Sequence, residues 1–170
     1  MPCNLMLHAG AAAVPRPALA RVETPAPTPT WQPIPHNRFL QQVENTLKTT
    51  NLKIGSVAHS LSHGGQRYFG LMEVTSRITR QNASEDYCWV LGLRNSHDKT
   101  FPAGIVAGAS VFVCDNLSFS GEVNLSRKHT RFILRDLPML TERAVGLLLE
   151  KWHHQDRRIE AYKNTTLGEA

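Results

Sequence analysis

Prolines are concentrated at the start of this 170-residue chain, and this asymmetry constrains the fold more than any other feature. Eight of the ten prolines precede residue 36, and the segment 1–35 is otherwise rich in alanine and threonine. Such a composition buries too little apolar surface to offset the entropy lost on ordering, and repeated prolines favour extended backbone. The sequence therefore predicts a disordered tail over residues 1–35, acting as a linker or leader, and a single folded domain over residues 36–170.

The composition is typical of a soluble globular protein, with 41% hydrophobic and 19% charged residues. No run approaches the roughly 18–20 apolar residues that a membrane-spanning helix needs. The three cysteines, Cys3, Cys88 and Cys114, lack CxxC spacing, which argues against a disulfide scaffold or a structural zinc site. We therefore expect a cytoplasmic protein with no membrane partner, no cofactor and no bound metal.

The order of periodic segments predicts the fold class. Apolar residues at helical spacing predict a helix from Asn37 to about Thr49. Two β-rich runs around His63-Gly64-Gly65 predict a hairpin. Two more apolar strands are predicted after it, and residues 117–125 are predicted to be a short edge strand or a loop. Helix, strands and a long final helix together predict an α+β domain with an antiparallel or mixed sheet of about four to five strands.

The final helix is predicted to begin at Asp136, which can cap it, with Pro138 tolerated in the first turn. Its apolar positions give way to a polar pattern after His153. This polar half is either a solvated extension or part of a self-association surface over Leu137–Asn164. The chain stops at Ala170, which we interpret as a domain shortened at its C-terminus.

Charge is unevenly distributed, although the formal net charge is only +5. Residues 36–84 hold six basic and two acidic residues, residues 85–126 hold two basic and five acidic, and residues 127–135 hold four basic and no acidic residues. Basic side chains interleaved with aromatic ones can bind phosphates and stack on bases, although a solvated, charge-mixed surface is the alternative. The predicted nucleic-acid-binding residues are Lys53, Arg67, Tyr68, Arg77, Arg127, Lys128 and Arg131.

Four residues near strand ends could carry chemistry: His97, Asp98, Cys114 and His129. A Cys beside a His could be a nucleophile and its base, with an acid orienting the His, or the side chains could ligate a metal. Alternatively, polar residues in a turn hydrogen-bond their own backbone, and Cys114 is a small buried residue. No established catalytic motif such as HExxH or GxSxG is present, so an enzyme is the less favoured interpretation.

Three stretches taken together resemble the phage/plasmid-like proteins of domain-of-unknown-function family 932. They are Leu91-Gly-Leu-Arg-Asn-Ser-His-Asp98, Val111-Phe-Val-Cys-Asp-Asn116 and Arg127-Lys-His-Thr130. The resemblance covers about residues 36–165. Family members run longer after the final helix, so the chain is similar to a shortened member.

The resemblance implies a protein of phages, plasmids or integrated elements, active in DNA metabolism, recombination or host–element conflict. It does not imply a particular reaction. Together with the charge pattern it favours a nucleic-acid-binding protein acting on single-stranded DNA. The alternatives are an enzyme using the His, Asp and Cys residues above, and a module that self-associates through its last helix.

Overall fold

A computed structural model describes residues 5–7, 9–76, 89–108 and 112–164. Within these residues the chain forms three helices and eight strands. In order they are β1 (Ala12–Ala13), α1 (Arg16–Arg21), α2 (His36–Lys48), β2 (Leu52–Ser62), β3 (Arg67–Ser76), β4 (Trp89–Ser96), β5 (Ala103–Gly108), β6 (Phe112–Val113), β7 (Phe119–Ser120), β8 (Val123–Arg127) and α3 (Ile133–Asn164).

The main sheet has six strands in the order β1-β2-β3-β4-β5-β8, and every neighbouring pair is antiparallel. The predicted α+β class with an antiparallel sheet is thus confirmed, with six strands in place of the expected four to five. The additional strands are β1, from the segment predicted to be disordered, and β8, from the segment predicted as an edge strand or a loop. A separate pair, β6 and β7, forms a short hairpin.

The predicted hairpin between β2 and β3 is confirmed, and its turn explains the Gly-Gly pair. His63, Gly64 and Gly65 have φ angles of 53°, 64° and 88°. Positive φ is nearly free of cost for glycine and strained for most other residues. The turn therefore depends on the two glycines to bring β2 and β3 into register.

One face of the sheet packs against α2 and α3 and forms the larger core. Alternate residues of β4, namely Trp89, Leu91 and Leu93, are almost fully buried on this face. The Trp89 ring stacks on Trp152 of α3, with centroids 5.7 Å apart. Replacing Leu91 with Ala should cost about 2–5 kcal/mol, because the sheet and helices cannot close the resulting cavity.

The opposite face carries a smaller apolar cluster of Phe69, Leu71, Phe101, Val106 and Val113. Leu5 and Phe119 pack against this cluster. The β6–β7 hairpin thus folds back over the sheet face that the helices do not cover.

The predicted disorder of residues 1–35 needs correction, because residues 9–35 pack against the rest of the chain. Ala12 and Ala13 pair with β2, and Leu19 and Ile34 are 1% and 0% exposed. Proline restricts the unfolded chain, so ordering an extended proline-rich segment costs less backbone entropy than composition alone suggests. A few buried anchors are therefore enough to fix it.

The two long helices lie close to their predicted positions. Helix α2 begins at His36, one residue before the predicted Asn37, and ends at Lys48. Helix α3 begins at Ile133, so Asp136 lies within its first turn and is not its cap. Among the residues that the structure describes, no helix has both the length and the apolar character needed to cross a bilayer.

Candidate functional site

Asn95, the penultimate residue of β4, is the centre of a buried polar cluster. Its side chain is on the helix-covered face and is fully buried. The amide Nδ2 donates to the carbonyl of Ile34 at 2.7 Å and to Nδ1 of His36 at 2.9 Å. The amide oxygen accepts a bond from Nε2 of His129 at 2.7 Å. Both donors and the acceptor of Asn95 are thus used inside the protein.

His36 and His97 stack face to face in this cluster. Their ring centroids are 3.9 Å apart and their planes differ by 4°. Nε2 of His36 donates to the Gly65 carbonyl at 2.9 Å, and Nε2 of His97 donates to the Ile34 carbonyl at 2.8 Å. Since a carbonyl can only accept, these contacts assign the protonated nitrogen of each neutral ring. We call Asn95, His36, His97 and His129 the histidine hub.

The hub histidines are neutral at neutral pH. Burial, followed by repulsion from His97, lowers the pKa of His36 to about 3. Burial and repulsion from His97 also lower the pKa of His129 to about 4. Burial lowers the pKa of His97 below its ordinary value as well. The hub therefore consists of uncharged hydrogen-bonding groups, which can be buried at far lower cost than imidazolium ions.

The structure brings together two of the four predicted catalytic candidates, His97 and His129. Asp98 is directed elsewhere: it accepts a bond from Arg67 at 2.6 Å and bonds the backbone and hydroxyl of Thr100. This is the local turn bonding that the sequence offered as the alternative. Asp98 therefore does not orient either imidazole.

Cys114 lies in the turn of the β6–β7 hairpin, where its Sγ donates to Oδ1 of the adjacent Asp115 at 3.6 Å. Asp115 is 4% exposed, and its Oδ2 accepts bonds from the backbone of Ala9 and Ala11 at 2.8 and 3.0 Å. These contacts of Asp115 tie the turn to the N-terminal segment.

No metal centre is formed by the residues described here: no group of three or more His, Cys, Asp or Glu side chains could hold an ion. A cavity of about 510 Å³ lies near the β1 edge, lined in part by Arg16, Glu44 and His59. None of the four predicted catalytic residues lines this cavity. A substrate bound there would not meet them.

The three motifs of the family resemblance share one structural role, which is to hold the N-terminal segment. The 91–98 stretch binds the Ile34 carbonyl through Asn95 and His97. The 111–116 stretch binds residues 9 and 11 through Asp115. In the 127–130 stretch, the His129 carbonyl accepts a bond from the backbone of Gln32 at 3.1 Å, and Thr130 pairs with Trp31. All three stretches thus contact the N-terminal segment, which the sequence predicted to be disordered.

Four cationic side chains and an exposed aromatic ring lie in the segment where β8 leads into α3, and two of the cations contact the ring. They are Arg127, Lys128, Arg131 and Arg135, and the ring is Phe132; together we call them the basic surface. Phe132 is 44% exposed. The guanidinium carbons of Arg131 and Arg135 lie 4.4 and 4.6 Å from its ring centroid. Two guanidinium groups thus lie within cation–π distance of a partly exposed aromatic ring.

Asp136 is the acidic residue within the basic surface. It accepts bonds from Arg135 at 2.9 Å and Arg127 at 3.1 Å. The hydrogen bond from Arg135 is the main cause of its lowered pKa. Arg127 and Arg135 remain 54% and 71% exposed despite this pairing. One carboxylate among four cations leaves the surface positive.

The other predicted nucleic-acid-binding residues do not join this surface. Lys53 is exposed at the opposite end of β2, and β2 is separated from β8 by three strands, roughly 19 Å across the sheet. Arg67 is paired with Asp98. Arg77 lies outside the described residues.

The prediction that Tyr68 stacks on a base is wrong, because its ring is 0% exposed. Its hydroxyl bonds Nδ1 of His59 at 3.1 Å. The ring lies across Gly70, where an added Cβ would come within 2.3 Å of the Tyr68 oxygen. Gly70 therefore makes room for Tyr68 in the core.

Sequence reasoning missed His36 and Asn95 in the hub, and Trp31 and Lys99 near the basic surface. Nζ of Lys99 lies 4.8 Å from the Trp31 ring centroid. His36 follows Pro35 at the start of α2 and is 59 residues from Asn95. No local pattern signals contacts between residues so distant in the chain. In the sequence, Asn95 was noted only as a member of the 91–98 stretch.

Comparison with known proteins gives no match to a family model, a curated protein or a solved structure. The resemblance to family 932 therefore rests on the three motifs alone and stays a prediction.

Proposed function

We propose that this chain binds nucleic acid through the basic surface, with single strands preferred. The observation that carries the proposal is the exposed Phe132 ring with the guanidinium groups of Arg131 and Arg135 against it. An apolar ring at 44% exposure is costly in water. A base that displaced one guanidinium group from the ring would cover that surface, and the displaced cation would then contact a neighbouring phosphate.

The preference for single strands follows from the stacking geometry. A base can stack on a protein ring only when it has left its own helical stack. In a single strand the bases are already available, whereas a duplex would first have to be unpaired. The four cations would bind either form, so the aromatic ring sets the preference.

Trp31 and Lys99 extend the proposed interface. Trp31 is half-buried and pairs through its backbone with Thr130. Thr130 is two residues from Phe132, a separation of at most about 7 Å along the chain. Lys99 lies over the Trp31 ring. A second ring with its own cation thus adjoins the basic surface, as expected for a path that holds more than one nucleotide.

The cellular role is proposed on the resemblance to family 932. A strand-binding protein of a phage-type or plasmid-type element would act in DNA metabolism or recombination. The enzyme alternative has less support, because the contacts of Asp98 and Cys114 are those of local turns.

Self-association through Leu137–Asn164 also has less support. The apolar residues Leu137, Ala144, Leu148 and Trp152 are at most 8% exposed, packed within the chain's own core. Met139, at 65% exposure, is the notable exception in the first half of α3. Among the side chains of α3 that the structure describes, most of the apolar face on which a second copy would pack is therefore already buried in the core.

Fluorescence anisotropy with labelled single-stranded and double-stranded DNA and RNA, at several salt concentrations, tests the proposal. We expect tighter binding to single strands and a linear fall of log affinity with log salt. Replacing Arg131 and Arg135 together with Ala should reduce the slope by about 1.4, since each lost phosphate contact contributes about 0.7 on a single strand.

The matched control replaces two exposed lysines away from the basic surface, Lys48 and Lys53. This variant loses the same charge and should keep the wild-type slope. Equal losses in both variants would mean that binding responds only to net charge. Absence of binding at low salt would overturn the proposal.

A further inference from the structure

Arg94 lies on the sheet face that the helices do not cover, between two aromatic rings. Its guanidinium carbon is 4.4 Å from the Phe119 ring centroid and 5.3 Å from that of Phe101. Phe101 follows the turn after β4, and Phe119 is brought over the sheet by the β6–β7 hairpin. Two separate elements thus place a ring on either side of one cation.

Gly104 forms the floor beneath this cation. It is paired with Arg94 across β4 and β5. A Cβ at Gly104 would lie 2.8 Å from the Phe119 ring and 3.3 Å from Nε of Arg94. Any side chain at this position would displace one of them. The absence of a side chain at residue 104 therefore leaves room for the Arg94 side chain and the Phe119 ring over this part of the sheet.

The Arg94 guanidinium has no acceptor among the residues that the structure describes, and its Nε is buried without a hydrogen-bond partner. Burial lowers its pKa below the ordinary value. Other arginines of the chain are paired: Arg16 with Glu44, Arg67 with Asp98, and Arg127 and Arg135 with Asp136. Aromatic faces attract a cation but offer its N–H groups no hydrogen-bonding lone pair comparable to that of an oxyanion.

A partly desolvated guanidinium is normally matched by an anion, because its lost hydration must be replaced. Arg is also the side chain best suited to bind two oxygens of one phosphate or carboxylate at once. On β8, Ser126 is directly opposite Gly104 in the register and is exposed. Directly opposed residues project to the same sheet face, so Ser126 places a hydroxyl donor beside the same floor.

We propose that Arg94, between Phe101 and Phe119 and over Gly104, is the binding site of a phosphate group. The phosphate accepts paired bonds from the guanidinium and a further bond from the Ser126 hydroxyl. The group belongs either to a small phosphorylated ligand or to a bound strand. This site is distinct from the basic surface, which uses other residues.

Titration with inorganic phosphate tests the site in the full chain. The ionic strength is held constant with chloride, and both the melting temperature and the phosphorus NMR line of the added phosphate are followed. We expect a saturable rise in melting temperature and saturable broadening of the line. The variant Arg94→Met should lose both responses, because it fills the space between the rings without charge.

The control is Lys48→Met, which removes one exposed cation on α2, away from Arg94 and from the basic surface, and should keep the full phosphate response. A labelled single strand then distinguishes the sources of the phosphate. Unchanged strand affinity in Arg94→Met identifies a separate small ligand, and weakened affinity identifies a phosphate of the strand itself. An unsaturable response in the wild type, or equal responses in the wild type and Arg94→Met, would overturn the proposal.

Discussion

The histidine hub and the basic surface use polar side chains in opposite ways. In the hub the polar groups bond one another and the backbone, with Nδ1 of His97 as a buried exception, and the three histidines are at most 6% exposed. At the basic surface Arg127 and Arg135 remain more than half exposed, and Phe132 faces solvent between two guanidinium groups. Residue types common in active sites are thus buried in hydrogen bonds here, whereas the solvent-exposed groups of the basic surface are cations, two of which lie against an aromatic ring.

This difference shows that a distinctive polar motif in a sequence need not mark a reactive site. The Ile34 carbonyl alone accepts bonds from both Asn95 and His97. Such contacts fix the proline-rich segment against the sheet from within. The hub therefore contributes stability, and the basic surface is expected to contribute binding.

Substitution of Asn95 should give the largest effect and tests the hub side of the comparison. Asn95→Leu removes three hydrogen bonds and leaves the Ile34 carbonyl, His36 and His129 without this partner. We expect the free energy of unfolding, measured with urea, to fall by about 4 kcal/mol, since each unsatisfied buried group costs about 1–3 kcal/mol. The exposed Asn124 on β8 provides the control Asn124→Leu, which should change little. If Asn95→Leu were as stable as the wild type, the hub would have no structural role.

Acid should destabilise the protein through the same cluster. The pKa values of His36 and His129, about 3 and about 4, lie below the ordinary 6.5. The unfolded chain therefore takes up protons first as the pH falls below 6.5, and stability is lost between pH 6.5 and about 4. His129 alone would contribute about 3 kcal/mol of this loss, at 1.36 kcal/mol per pKa unit.

Urea unfolding between pH 8 and pH 4 measures this dependence. Stability should be constant above pH 7 and decline below pH 6.5. The exposed His154 provides the control His154→Ala, whose profile should match the wild type. A profile that rises on acidification would show that the hub histidines are charged in the folded protein.

Removal of the Phe132 ring tests the proposed role of the basic surface in binding. Phe132→Ala should weaken single-strand binding by about 1–3 kcal/mol, the usual value of one base stacked on an aromatic ring. The free energy of unfolding should change by less than about 0.5 kcal/mol, since the side chain is exposed. Titration by anisotropy and unfolding in urea provide the two values. A large stability loss with unchanged binding would reverse the roles assigned to the two regions.

The smallest expected effect concerns Tyr68, which the sequence placed at the interface and the structure places in the core. Tyr68→Phe removes the bond between its hydroxyl and His59. We expect a loss of about 1 kcal/mol in stability and no change in strand affinity. Weakened binding at unchanged stability would restore Tyr68 to the interface.

The sequence predicted the parts of the fold that depend on local periodicity. Helix α2, the β2–β3 hairpin and the long final helix all follow from apolar spacing and turn residues over short stretches. The ordered segment 9–35 could not be predicted in this way. Its anchors are two apolar residues, Leu19 and Ile34, in a composition that otherwise indicates disorder.

The sequence predicted the candidate site only where its residues are close neighbours in the chain. Arg127, Lys128 and Arg131 form a basic run in the sequence, and in the structure Arg131 lies against Phe132, the next residue in the chain. The predicted grouping of Cys114 with His97 and His129 has no support, because strand order and the fold-back of β6–β7 decide those contacts. The burial of Tyr68 could not be predicted either, because strand alternation does not reveal which face of the sheet the helices cover.

Photo-crosslinking tests the central claim most directly. A single strand carrying 5-iodouracil would be bound to the protein and irradiated, and the crosslinked peptide identified by mass spectrometry. The account predicts crosslinks to Phe132, with Trp31 as a second site, and their loss when Arg131 and Arg135 are both replaced with Ala. Crosslinks confined to peptides outside residues 31 and 127–135 would contradict it.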